Sequence, residues 1–464
     1  MSTYEYHTFL SSRIQPFQNT LRNLLFLNNQ YFKLFTNDLG VAQAFDDTTH
    51  YHPTLISFIE RYFKVEPGKL NEGQLKLACI PTTANLNYAS TERVEAAARK
   101  GVLLAYPLTS VKNVFIFPGI PFLLHKAFDN IVCDLVNHSD QKACVRQVYL
   151  PASELEIVNQ LNTLVNKYKD VVTFGSYPKW THNYYKTRLT IEADSEEITE
   201  QVWLEIKGTM TTVEFDPNPE EDAMEKLDQL LNGTSIDTEL KALIKEALGA
   251  IEKCYKDFND DEVMMAVNGG KDCLTMLHLV HAYFQKHVRK NSKKTRIKAL
   301  YIEENDSFPE VNELVKQSAD TYDLDIIRVN SPMKVALTKV LEDKNPSWKN
   351  GQGVPCTILA CFMGTRKNDP GGKNIKIFAP TSNGWPSCMR VSPILNWTYS
   401  DIWTFIRALS LPYPILYDQG YTSLGNVHNT KPNPHLLVKA EDGKSTYKPA
   451  YTLENGEWER EGRL

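Results

Sequence analysis

The stretch VMMAVNGGKDCLTMLHL, Val263 to Leu279, constrains this chain more than any other. Val263–Val267 is a short apolar run of the kind that fills a buried strand, and apolar residues return at helical spacing from Cys273. Between them Asn268, Gly269 and Gly270 allow a tight turn that exposes backbone N–H groups. Such a turn at the positive end of a helix suits a phosphate chain. Lys271 is placed to neutralise phosphate charge, and Asp272 to hold Mg²⁺ through oxygen. Neither GxxxxGK[ST] nor GxGxxG is present, and Asn-Gly and Gly-Gly also make ordinary turns, so these residues alone leave both readings open.

Downstream, RIKALYIEE, a helix from Pro309 and LDIIRVN continue the alternation of strand and helix. That order predicts a parallel sheet covered by helices, with ligands beyond the carboxyl ends of the strands. Ser307 and Glu310 have the spacing of a capping box for the Pro309 helix. Leu240, Leu243, Ile244, Ala247, Leu248, Ile251 and Tyr255 form a helical packing stripe with Asp237 as its N-cap. Just before it, EFDPNPEEDAMEKLDQLLNGTSID combines two prolines, a charge run and an Asn-Gly turn, so residues 215–236 read as an acidic linker. The first half is mixed α/β: strands are expected within Asn113–Pro121 and Lys186–Ala193, and a helix over Glu154–Tyr168.

At 464 residues the chain has room for two or three domains. A formal charge of -5 and a pI near 6.2 give no basic excess, so no nucleic-acid partner is expected. No apolar run approaches the ~18 residues that span a bilayer, and no membrane association is expected. Eight scattered cysteines without a CxxC pair fit a reducing compartment; Cys356 and Cys361 read as buried thiols. His278 and His281 lack a carboxylate to complete a metal motif and read as structural. The expected location is cytoplasmic. The alternative is mitochondrial, because no acidic residue lies between Glu5 and Asp38 while Arg13, Arg22 and Lys33 do.

Two further segments carry chemistry. FMGTRKNDP, Phe362 to Pro370, places Arg366 and Asp369 three apart, either as a phosphate fork with a Mg²⁺ ligand or as a surface ion pair in a turn. From Ala379 to Pro434, Trp397, Ile402, Trp403, Ile406 and Leu409 read as core, whereas SNGWP and YDQGYTSLG expose an aromatic, an arginine and backbone amides on loops.

Taken in order, NGGKD, MGTRxxDP, GWPxxMRVxPxLxWTYxDIW, LYDQGYTSLG and the ending YKPAYTLENGEWEREGRL resemble the FAD synthase (FMN adenylyltransferase) family in its animal form, over nearly all of Val263–Leu464. The resemblance implies transfer of AMP from ATP to FMN, giving FAD and pyrophosphate with Mg²⁺. It implies an α/β PP-loop domain similar to PAPS reductases over 237–464. Asn268, Gly269, Gly270, Lys271 and Asp272 would form the pyrophosphate loop, and Asp369 would help organise Mg²⁺. A phosphate contact for Arg366 is inferred from its place in the same motif. Trp385 and Arg390 fall in the flavin-holding segment, and Arg460 and Arg463 match two C-terminal arginines that reach back to the site. Ser382 stands where relatives usually carry an aspartate associated with flavin recognition, so flavin affinity or product release is expected to differ.

In the first half, VAQAF, VFIFPGIP, FGSYPKW and NYYKTRLTIEAD resemble a molybdopterin-binding-like domain over 37–214. Its opening strand and glycine-threonine loop have no counterpart in residues 1–36, so it reads as truncated, with Leu24, Leu25, Phe26, Phe32 and Phe35 covering the gap. A scaffold or homo-oligomer role without FAD hydrolysis is expected for it. The alternatives are a catalytically weak flavin carrier or scaffold and a PAPS reductase-like enzyme. No cysteine follows Cys388, which disfavours the reductase.

Overall fold

In a computed structural model, residues 42, 45–88, 107–112, 114–116, 144–289, 296–303, 306–342, 348–349, 356–439 and 445–464 are described. Residues 1–36, with the apolar residues of the first half named above, and Pro118, Gly119 and Pro121 lie outside them. The chain divides into two compact units. One comprises residues up to Gln147 with Asn159–Gly175 and Thr190–Thr209; the other comprises Val148–Val158, Ser176–Leu189 and Met210–Leu464.

In the first unit, helix Pro53–Phe63 starts with the His52 side chain accepting from the Thr54 N–H. It buries Leu55 and Ile59 against Ala78 and Ile80. Val114–Ile116, within the expected strand, pairs antiparallel with Leu108–Val111.

The second unit is built on a six-stranded sheet. Its elements are α1 (Thr238–Asp257), β1 (Val263–Val267), α2 (Lys271–Tyr283), β2 (Ile297–Ile302), α3 (Pro309–Thr321), β3 (Leu324–Val329), α4 (Met333–Leu341), β4 (Ala360–Phe362), β5 (Phe378–Pro380), β6 (Met389–Val391) and α5 (Tyr399–Ala408). The strand order is β3-β2-β1-β4-β6-β5, parallel except for β5. Both faces of β1 are covered: Val263, Met265 and Val267 join one core and Met264 the other. That explains its unbroken apolar sequence. The order reverses at β1, so the crevice between the carboxyl ends of β1 and β4 is the switch point where ligands bind in such sheets.

Asp237 caps α1 as expected, its carboxylate accepting from the Leu240 N–H at 2.8 Å. The stretch expected as a linker is instead packed. Ala223–Asn232 is a helix whose Ala223, Leu227 and Leu230 join the main core, because they recur at i, i+4 and i+7 while the acidic residues take the outer face. Nor does the second unit begin after the linker. Tyr149, Tyr184, Tyr185 and Phe215 form an aromatic cluster within it, and the Tyr184 hydroxyl donates to the Leu411 carbonyl at 2.7 Å. The expected capping box is absent: Phe308 is the N-cap of α3, with no side-chain cap, and Pro309 begins the helix with its preset φ. Ser307 forms a bridge with Asn426 instead.

Candidate active site

The turn after β1 is set by three local facts. Gly269 has φ +68°, a conformation that costs any residue with a Cβ, and a Cβ there would lie 2.8 Å from Val311 Cγ1. Asn268 Oδ1 accepts from the Gly270 N–H at 3.0 Å, closing the turn. Gly270 is the N-cap of α2 and brings no side-chain cap, so the helix end stays open. One amide is already satisfied: the Lys271 N–H donates to the Tyr417 hydroxyl at 3.1 Å. Across the crevice, the chain leaving β4 touches the start of α2 at Gly364, where a Cβ would meet Cys273 N at 2.9 Å. This contact brings the Arg366–Asp369 turn beside the glycine turn.

Beneath these turns lies a buried ionic cluster. Lys271 is 2% exposed, with Nζ 3.0 Å from Asp272 Oδ2 and paired to Glu459. Arg366 is 0% exposed, and its Nη2 donates to both Glu459 oxygens at 2.7 and 2.6 Å. Its Nε lies 2.8 Å from Asp272 Oδ1 without hydrogen-bond geometry, so that oxygen remains a buried acceptor lacking a hydrogen bond. The Arg366 N–H donates to Asp369 Oδ2 at 2.8 Å.

Burial alone would discharge Lys271, but Asp272 and Glu459 outweigh it and raise its pKa. Arg366 is held charged in the same way. For Glu459, burial pushes upward and the two cations overcome it, leaving the carboxyl below its ordinary value. Asp369 goes the other way, raised chiefly by burial despite the Arg366 N–H. Burial also pushes Tyr417 up to about 12, so its hydroxyl stays protonated.

Above the cluster opens a cleft of about 800 Å³. Asn268, Gly270, Lys271, Asp272, Asp369, Ser382, Trp385, Arg390, Arg460 and Arg463 all line it, joined by Tyr417 and Glu459. Ser382 and Trp385 sit in one turn, the Trp385 N–H donating to the Ser382 carbonyl at 3.1 Å, with the indole 40% exposed. Arg390 donates to the Pro380 carbonyl at 3.2 Å. One expected contact differs. Arg366 is off the cleft wall, turned to Glu459 and Asp272, because an unpaired buried guanidinium would be far costlier. Gly269 faces Val311 and Val315 and serves the turn.

The residues sequence reasoning missed are Glu459 and Tyr417. Glu459 stands in EWEREGR, whose charges look like those of a solvated tail; only burial marks it out. Tyr417 lay in a quoted motif, but nothing local showed that its hydroxyl would reach the glycine turn.

Among the described residues no three His, Cys, Asp or Glu side chains could hold a metal ion by themselves. Mg²⁺ does not require that, since it commonly takes one or two carboxylates plus substrate phosphates and water. Asp272 and Asp369, two carboxylates lining the same cleft, fit this requirement. Among the described residues no helix is long and apolar enough to cross a membrane.

A phosphoadenosine phosphosulfate reductase domain model matches residues 262–432, and a model for the middle domain of FAD synthase matches 142–217. A probable FAD synthase of Caenorhabditis briggsae is 31% identical over 448 residues, covering 92% of this chain and 82% of the relative. A probable FAD synthase of Schizosaccharomyces pombe is 37% identical over 219 residues, covering 47% and 77%. Among solved structures, Candida glabrata FMN adenylyltransferase in complex with FMN and the ATP analog AMPCPP aligns at 21% identity with a TM-score of 0.46, covering 53% of this chain and 98% of that one.

Proposed function

Because the chain belongs to the FAD synthase family, we propose that its cleft joins FMN to the adenylyl group of ATP, releasing FAD and pyrophosphate. The observation that carries the reading is the convergence, in one cleft at the sheet's switch point, of the glycine turn, two carboxylates, two tail arginines and the Trp385 loop.

The FMN phosphate, with a second pKa of ~6 as in other phosphomonoesters, is largely a dianion at neutral pH. One of its oxygens attacks the α-phosphorus of ATP, an O–P bond forms, the bond to the β-phosphate oxygen breaks, and pyrophosphate leaves. No proton is removed, so no general base is needed. The difficulty is to bring two polyanions together and stabilise the leaving charge, and fixed positive groups do this best. The open end of α2 faces the phosphate chain, and Arg460 and Arg463, which line the same cleft, meet it from the tail. Lys271 and Arg366 act one step back, holding the carboxylates in place. Asp272 and Asp369 would hold Mg²⁺, which when bound neutralises phosphate charge. Ser382, Trp385 and Arg390 hold the flavin end, with Ser382 supplying a neutral hydroxyl where relatives place a charge.

The test is incubation of the purified protein with FMN, ATP and Mg²⁺, following FAD and pyrophosphate. Both should form in equal amounts, and Asp369→Ala should lose most of the rate. Binding of FAD without turnover would instead make the protein a flavin carrier.

A further inference from the structure

Glu459, like Asp272, touches both buried cations of the site, but it reaches them from Gly456–Arg460 and not from the glycine turn itself. Its neighbours Glu457 and Glu461 are exposed, whereas Glu459 is 7% exposed. A carboxylate is not buried at that depth without compensation. Here Lys271 comes from the glycine turn, Arg366 from the turn after β4, and Thr422 Oγ1 donates to the Glu459 carbonyl at 2.6 Å. The carboxylate therefore ties two separate pieces of the site to residues Gly456–Arg460, and the backbone carbonyl of Glu459 ties a third.

We infer that Glu459 is a positioning residue: its ion pairs with Lys271 and Arg366 set Arg460 and Arg463 on the cleft wall. Arg460 follows it directly in sequence, and the Arg463 N–H donates back to the Arg460 carbonyl at 2.9 Å, so fixing Glu459 fixes the register of both arginines. The segment is also held by hydrogen bonds from the Lys431 N–H to the Gly462 carbonyl and from the Leu464 N–H to the Asn429 carbonyl, each 2.9 Å. The Asn433 side-chain amide donates to the Trp458 carbonyl at 2.7 Å, and His435 stacks on Trp458 and pairs with Glu461. The Glu459 ion pairs are what join the segment to the glycine turn and to the turn after β4. The two cations expected to meet phosphate thus act through the tail, and the tail's arginines meet it. The last clause rests on the function proposed above; the anchoring itself does not.

Glu459→Gln is the decisive variant, since it keeps the volume and an acceptor for Arg366 while removing the charge; Glu459→Ala is the second. Two readouts are needed in the full chain. The first is backbone hydrogen exchange over 456–464 without ligand, expected to quicken at least about tenfold in Glu459→Gln while β1 and α2 exchange as before. The second is steady-state kinetics. Glu459→Gln and the double variant Arg460→Ala/Arg463→Ala should each lower kcat/KM for ATP by about 100- to 1000-fold, the scale of losing a charge-stabilising donor. Adding Glu459→Gln to the double variant should cost nothing more, because a residue acting only through those arginines has nothing left to position. Unchanged tail exchange, or losses that multiply in the triple variant, would overturn the inference. Quickened exchange in a protein that makes no FAD would uphold the anchor and sink the substrate reading.

Discussion

Replacing Gly269 by alanine tests whether the turn after β1 is shaped by sterics. Two costs can be worked from the structure. The left-handed φ of +68° costs alanine about 1 kcal/mol relative to glycine. The new methyl would sit 2.8 Å from Val311 Cγ1 and 3.1 Å from both the Val311 carbonyl oxygen and Val315 Cγ2. The side chains can yield, but the carbonyl belongs to α3 and cannot without moving the helix, so overpacking adds about 1–3 kcal/mol. The sum is about 2–4 kcal/mol, which in a unit of this size lowers Tm by roughly 5–10 °C. Because the turn can relieve the clash only by moving toward the cleft, KM for ATP should rise about tenfold. Val311→Ala added to Gly269→Ala removes the closest contact but neither the strained φ nor the carbonyl clash, so it should recover part of the loss, with a coupling of about 1 kcal/mol. Scanning calorimetry and steady-state kinetics on the four proteins of the cycle decide it. An alanine variant with wild-type Tm and KM would refute the steric account of the turn.

Three other outcomes follow from the same geometry. Tyr417→Phe leaves the Lys271 N–H buried without its acceptor and should cost about 1–3 kcal/mol in denaturant unfolding, together with weaker ATP binding by calorimetry. Ser382→Asp should change the KM for FMN or the rate of FAD release, measured by stopped-flow flavin fluorescence; no change in either would remove Ser382 from flavin recognition. Burial holds His278 near about 3 and His281 near about 4, both below the ordinary 6.5. The unfolded chain therefore takes up protons that the folded one refuses. These two histidines should lower stability by roughly 2–3 kcal/mol between pH 7.5 and 5.5, His182, likewise held at about 4 by burial, should add about 1 kcal/mol, and His278→Asn should remove about a third of the whole.

What was legible in the sequence divides along a physical line. β1, the turn and α2 were readable because strand, glycines and helix are contiguous, and each segment's local preference agrees with its place in the sheet. Trp397, Ile402 and Trp403 were readable as core from helical spacing, and all three are buried. The capping box failed because Pro309 sets the helix start by itself. The linker failed because its charges drew the eye from Ala223, Leu227 and Leu230. In the site, residues within one motif were found, but the pairing of Glu459 with Lys271, 188 positions away, leaves no local pattern. Arg366 illustrates the same limit: its motif lies beside the glycine turn, yet only the fold decides whether a guanidinium there faces solvent or a buried acid.

The central claim is that the glycine turn at the end of β1 and the tail arginines both meet the polyphosphate of ATP. A crystal structure of the protein with FMN, Mg²⁺ and a non-hydrolysable ATP analogue measures this directly. The account predicts the β- and γ-phosphates at the open end of α2 within hydrogen-bond reach of Arg460 or Arg463, with the flavin phosphate oxygen aligned on the α-phosphorus. A triphosphate bound elsewhere in the unit, with the Gly269–Gly270 amides turned to water, would contradict it.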